Sequence, residues 1–166
     1  MWSDFGLVRG AKFAAVIATS LTLAACASQQ DNNGMGGAGG AGAATPGSQQ
    51  DFVVNVGDRV FFQNDSSDLT GEARGTLDRQ AAWLAKYPRY TVTVEGHADE
   101  RGTREYNIAL GARRATATRD YLMARGVAST RLKTISYGKE RPVAVCDAES
   151  CWNQNRRAVT VLNGSN

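Results

Sequence analysis

Residues 27 to 50 constrain this chain more than any other stretch. Gly34, Gly36, Gly37, Gly39, Gly40 and Gly42 alternate with Ala, Ser and Gln, so the segment has no apolar period and little side chain to pack. It divides the 166 residues into a leader before it and a part able to bury a core, 51–166, after it. A glycine-rich run can cradle phosphate, but that needs Lys-Ser or Lys-Thr after the glycines and a flanking strand; both are missing. As a coil of about 24 residues it reaches roughly 25–30 Å, and about 80 Å when extended.

The leader, 1–25, reads as an export signal. Arg9 and Lys12 precede an apolar run from Phe13 to Ala25. At about 13 residues that run suits a signal and is too short to span a bilayer. It ends in Leu23-Ala24-Ala25-Cys26, which looks like a bacterial lipobox, so Cys26 is the expected site of lipidation. Residues 26–50 then form a lipidated linker. An exported chain sits in an oxidising compartment, and Cys146 with Cys151 is the pair that remains, so a disulfide between them is expected. Zinc lacks ligands, because His97 is the one histidine. A net charge of +3 gives no basic face for nucleic acid.

From Asp51 the composition is globular. Arg59 to Phe62 reads as a strand. Thr70 caps a helix to about Tyr87, with Ala73, Leu77, Ala81 and Leu84 at helical spacing and Pro88 after it. Tyr90 to Glu95 alternates as a half-buried strand. A loop over 96–102 precedes a long helix from about Thr103 to Arg125, stopped by Gly126. Leu132 to Tyr137 and Ala158 to Leu162 read as strands, with a Cys-bounded loop and short helix between them. The alternation predicts an α/β sandwich, a mixed four-stranded sheet with helices packed on one face.

Polar residues on an inward face carry the functional argument. Asn107, Leu110, Gly111, Arg114, Thr118 and Leu122 share one face of the long helix, and Leu110 and Leu122 mark it as buried. An amide and a guanidinium there need partners. Asp99 follows a strand, at the sheet edge where ligands bind α/β folds, and an Asp99–Arg114 pair is expected without ligand. Gly96 and Gly102 would let the loop turn sharply. The segment Phe62, Gln63, Asn64 to Asp65 should line the same pocket, with His97 and Leu110. His97 is expected to hold the loop by a hydrogen bond, one of Arg156 and Arg157 to pair with Glu95 or Glu140, and Trp83 and Trp152 to serve packing.

Gly96-His97-Ala98-Asp99, Gly102, Tyr106-Asn107, Leu110, Arg113-Arg114-Ala115 and Tyr121-Leu122 follow in the order and spacing of a known pattern. Ile135-Ser136-Tyr137-Gly138, Glu140-Arg141-Pro142 and Asn155-Arg156-Arg157 extend it. The chain resembles the OmpA-like peptidoglycan-binding family over most of 58–162. With its lipobox, linker and cysteine pair it is most similar to the Pal-type lipoproteins of alphaproteobacteria. The resemblance implies a non-enzymatic outer-membrane lipoprotein facing the periplasm. It implies acyl chains on Cys26, peptidoglycan and the Tol proteins, TolB first, as partners, and no cofactor. It also implies that Asp99, Arg114 and the supporting Asn107 bind the diaminopimelate of the wall's stem peptide. Gln63 stands where many relatives have Asp.

Two other classes compete. A cell-wall hydrolase would need a nucleophile or metal set that one histidine does not supply. Asp99 with Glu95 or Glu100 could mimic a glycosidase pair, but Arg114 would keep Asp99 ionised, the wrong state for a general acid. A pure protein-docking module is the second alternative.

Overall fold

The computed structural model describes residues 44–164. The expected signal segment, Cys26 and most of the expected linker lie outside the described residues. Packing begins a few residues before Asp51. Gly47, with φ +77°, is buried against the Tyr87 ring, and its carbonyl accepts from the Tyr90 hydroxyl at 2.8 Å. Ser48 caps helix α1 (Gln49–Asp51), which widens into a turn over Phe52–Val56.

Strand β1 (Arg59–Phe61) follows, then helix α2 (Gly71–Lys86), whose Thr70 hydroxyl accepts from the Ala73 amide. Next come β2 (Thr91–His97), helix α3 (Arg104–Ala124) capped by Thr103, and β3 (Leu132–Gly138). Helix α4 (Glu149–Asn155) leads into β4 (Arg157–Asn163). The strands lie in the order β1-β4-β2-β3, with β2 and β3 parallel and β4 antiparallel to both neighbours. The mixed sheet expected from the alternation is present.

Helices cover one face, as expected. Val60, Val92, Val94, Ala158 and Leu162 are buried beneath them, while Thr93, Glu95, Val159 and Val161 on the opposite face are half-buried. Burying each large apolar side chain contributes about 1.5–3 kcal/mol. Leu77, Leu84 and Leu122 from the helices complete this core. Helix α3 ends at Gly126, φ +93°, with the Gly126 amide donating to Met123 O and the Val127 amide to Leu122 O, a pairing that satisfies its last carbonyls.

Gly96 acts differently from the expected sharp turn. A Cβ there would lie 1.8 Å from the Gly111 carbonyl oxygen. Its missing side chain lets α3 sit directly on β2, which fixes the height of Arg114 above the sheet. Gly102 does turn the loop, at φ +84°.

Candidate functional site

Helix α3 buries the residues its spacing predicted: Asn107, Leu110, Gly111, Arg114, Thr118 and Leu122 all face inward. Asn107 and Leu110 open onto a cleft of about 300 Å³ beyond the C-terminal end of β2. The β2–α3 loop adds Asp99, Arg101 and Gly102. The segment after β1 adds Asn64 and Asp65, and α3 adds Tyr106. Asn107 Nδ2 donates to the Arg101 carbonyl at 2.7 Å, so it shapes the loop. The Tyr106 hydroxyl donates to Asp65 across the mouth.

Arg114 departs from expectation. It is fully buried, yet among the described residues it has no carboxylate partner. Nε donates to Ser66 O at 2.8 Å, Nη1 to His97 O at 2.9 Å and Nη2 to Gln63 O at 3.1 Å. Its charge is thus shared among carbonyls that wall the cleft: Gln63 and Ser66 in the loop after β1, and His97 at the end of β2. Three of five N–H groups are used this way. Burial lowers its pKa to about 10, with Asp99 pulling the other way, so the guanidinium stays charged at neutral pH.

Asp99 pairs with two other arginines. Arg101 Nη2 lies 2.7 Å and Arg156 Nη1 3.3 Å from Oδ2. Burial opposes ionisation of Asp99, but the hydrogen bonds from Arg101, its charge and the bond from Arg156 outweigh it, leaving the carboxyl below its ordinary pKa. Arg156 is buried and also donates to Phe62 O, Glu149 and Asn153. Arg157 donates to Asn155 O and Arg141 O, and Glu140 pairs with Arg104. Neither Arg156 nor Arg157 makes the ion pair with Glu95 or Glu140 expected from the sequence.

Three pocket residues fall elsewhere. Phe62 is buried as core, and with Gln63 it borders a separate cavity of about 490 Å³ between β1, the start of α2 and the end of α4. That cavity has Arg59 and Glu72 as its charged lining, and Arg59 is already bound to Asp58. The larger space is therefore the poorer candidate. His97 is buried beside Tyr137, and both its ring nitrogens lack hydrogen-bond partners among the described residues. Burial, then the charges of Arg157 and Arg141, lower its pKa to about 4; Glu95 at 3.7 Å does not offset them. Its carbonyl, not its ring, ties the loop to Arg114.

Asn64 and Asp65 line the cleft as expected, but sequence pattern alone does not single out Arg101 and Tyr106 as cleft-facing groups, nor the position of Trp152. The Arg101 guanidinium lies 4.0 Å from the Trp152 ring centroid, and Trp152 Nε1 donates to Glu100. Trp152 follows Cys151, which is bonded to Cys146 as expected. The one available signal is that Arg101 stands two residues from Asp99, within reach of its carboxylate.

Comparisons agree with this architecture. Residues 61–157 match the OmpA family. The peptidoglycan-associated lipoprotein of Rhizobium meliloti strain 1021 is 67% identical over 148 residues, covering 88% of this chain and 84% of that protein. The protein of the same name from Brucella melitensis is 64% identical, covering 88% of each. Among solved structures, the peptidoglycan-associated lipoprotein from Burkholderia pseudomallei superposes with a TM-score of 0.66 at 36% identity, over 70% of this chain and all of that one. The C-terminal domain of Helicobacter pylori MotB gives 0.61 at 26% identity, over 64% of this chain and 84% of that one.

Proposed function

The chain belongs to the OmpA family, among its peptidoglycan-associated lipoproteins, and from that premise we propose that its cleft binds the diaminopimelate of the peptidoglycan stem peptide. Diaminopimelate ends in a free ammonium and a free carboxylate on one carbon. A matching site must offer an anion and a cation within a few ångströms. The observation that carries the reading is the pairing of ionised Asp99 with Arg101 at the end of β2, in a cleft walled by Asn107 and Tyr106, with the charged Arg114 fully buried beside it.

Asp99 receives the ammonium. Arg114, fully buried beside the cleft, supplies the positive field beneath the carboxylate. Asn107 keeps the loop at the right height through the Arg101 carbonyl. No bond is made or broken, and the family is one of structural lipoproteins rather than enzymes. Acylation at Cys26 would hold the protein on the outer membrane facing the periplasm, since more than one acyl chain anchors stably. The linker would give the domain room to reach the wall. The same reading makes TolB a partner within the Tol system of envelope integrity and cell division.

Sedimentation with purified sacculi tests this reading. Wild type is expected to pellet with the wall, and Asp99→Asn and Arg114→Lys to remain in the supernatant while folded. Soluble muropeptides released during incubation would support a hydrolase instead. Sedimentation of Asp99→Asn at the wild-type level would sink the assignment.

A further inference from the structure

Every acceptor position of Asp99 is already filled. A carboxylate offers about four. Oδ1 accepts from the Arg101 backbone amide at 3.2 Å and from Arg101 Nε at 3.1 Å. Oδ2 accepts from Arg101 Nη2 at 2.7 Å and from Arg156 Nη1 at 3.3 Å. A ligand ammonium therefore has to displace a guanidinium before it can bind.

The two arginines differ in freedom. The Arg156 side chain is 2% exposed and is fixed by Phe62 O, Glu149 and Asn153. The Arg101 side chain is 39% exposed. Away from Asp99 it touches the Asn64 side-chain oxygen at 2.6 Å and the face of Trp152. Trp152 is itself held, by its bond to Glu100 and by its seat in α4 beside the Cys146–Cys151 bridge. An arginine on an indole face keeps a favourable contact while its hydrogen bonds change. Arg101 can thus leave Asp99 without leaving the cleft.

We propose that Arg101 is the specificity-determining residue of this site: it gives up Asp99 to the ligand's ammonium and takes the ligand's carboxylate, with Trp152 as the positioning residue that keeps the freed guanidinium at the rim. This rests on the wall-binding reading above. The exchange leaves no charge unpaired. A ligand with an ammonium alone strands Arg101, and one with a carboxylate alone has to compete with Asp99 for Arg101. Selectivity for an end bearing both charges then arises from charge balance at the buried Asp99, and Arg101 adds to what Arg114 supplies.

The test is calorimetric titration of the full chain, in detergent micelles, with soluble stem peptides carrying either diaminopimelate or lysine at the third residue. Wild type is expected to favour diaminopimelate by about tenfold or more. Arg101→Gln should weaken diaminopimelate binding about tenfold and leave lysine binding equal or stronger, so that the preference shrinks below about threefold. Trp152→Leu should lose part of the preference, and Trp152→Tyr should restore it, which a merely structural role would not produce. Should Arg101→Gln lower the unfolding midpoint, Arg101→Lys should show the same shrinkage, because it keeps the charge but not the planar fork. An undiminished preference in these Arg101 variants overturns the inference and leaves the wall reading standing. Failure of wild type to bind either peptide overturns both.

Discussion

The two ends of strand β2 are built on opposite principles. Where it begins, Phe52, Trp83, Tyr87 and Tyr90 stack, with ring centroids 4.6–5.3 Å apart along the chain of contacts. Their few polar atoms are satisfied locally: Trp83 Nε1 donates to Asp51 at 2.8 Å and Tyr90 Oη to the Gly47 carbonyl. Where β2 ends, the buried groups include Asp99, Arg114, Arg156 and Asn107, each held by hydrogen bonds, and His97, whose ring nitrogens have no partner among the described residues. Aromatic burial stabilises with little demand on exact partners, whereas every polar group at the other end loses water and needs a partner to offset that loss. One sheet thus separates an end that holds the domain together from an end whose internal bonds the proposed ligand would replace.

Four measurements can break or sharpen that contrast. Trp83→Ala should lower stability by about 4 kcal/mol in urea unfolding, while the folded fraction keeps its affinity for sacculi; a matching loss of affinity would mean that the ends are coupled. The next effect is in pH. The folded value for His97, about 4, lies below its ordinary 6.5, so the unfolded chain takes up the proton first. The stability that His97 provides is complete above pH 6.5 and is lost as pH falls through 4, about 3 kcal/mol in all. Urea unfolding at pH 7 and pH 4 should show this slope in wild type and its absence in His97→Gln.

Reducing the Cys146–Cys151 bridge, which joins residues five apart, should cost about 2 kcal/mol. Hydrogen exchange should then quicken around Trp152 and not around Trp83; uniform quickening would contradict two independent ends. The smallest effect on stability belongs to Asp99→Asn, about 1 kcal/mol in the same urea assay, because Arg156 keeps Glu149, Asn153 and the Phe62 carbonyl. A loss of several kcal/mol there would make the cleft primarily a structural staple.

Much of the fold is readable in the sequence for local reasons. Thr70 and Thr103 cap helices because a hydroxyl before an apolar-periodic run satisfies free amides, and Gly126 ends α3 because it alone tolerates the left-handed turn. The inward face of α3 follows from its three- and four-residue steps. The partners of the charged groups do not follow. Helix spacing points Arg114 toward Asp99, yet it ends among the carbonyls of Gln63, Ser66 and His97, because loops 17 to 51 residues away converge on it. Spacing along one element carries no information about such convergence.

Short-range pattern thus dictated the elements, their inward faces, the acid at the end of a strand and the pairing of two nearby cysteines, since each depends on neighbours a few residues apart. Assembly in three dimensions alone decided which guanidinium neutralises Asp99 and which one instead holds loop carbonyls. Three arginines compete for one buried acid, and the outcome is set by how closely Gly96 and Gly111 let helix approach strand and by where α4 sets Trp152.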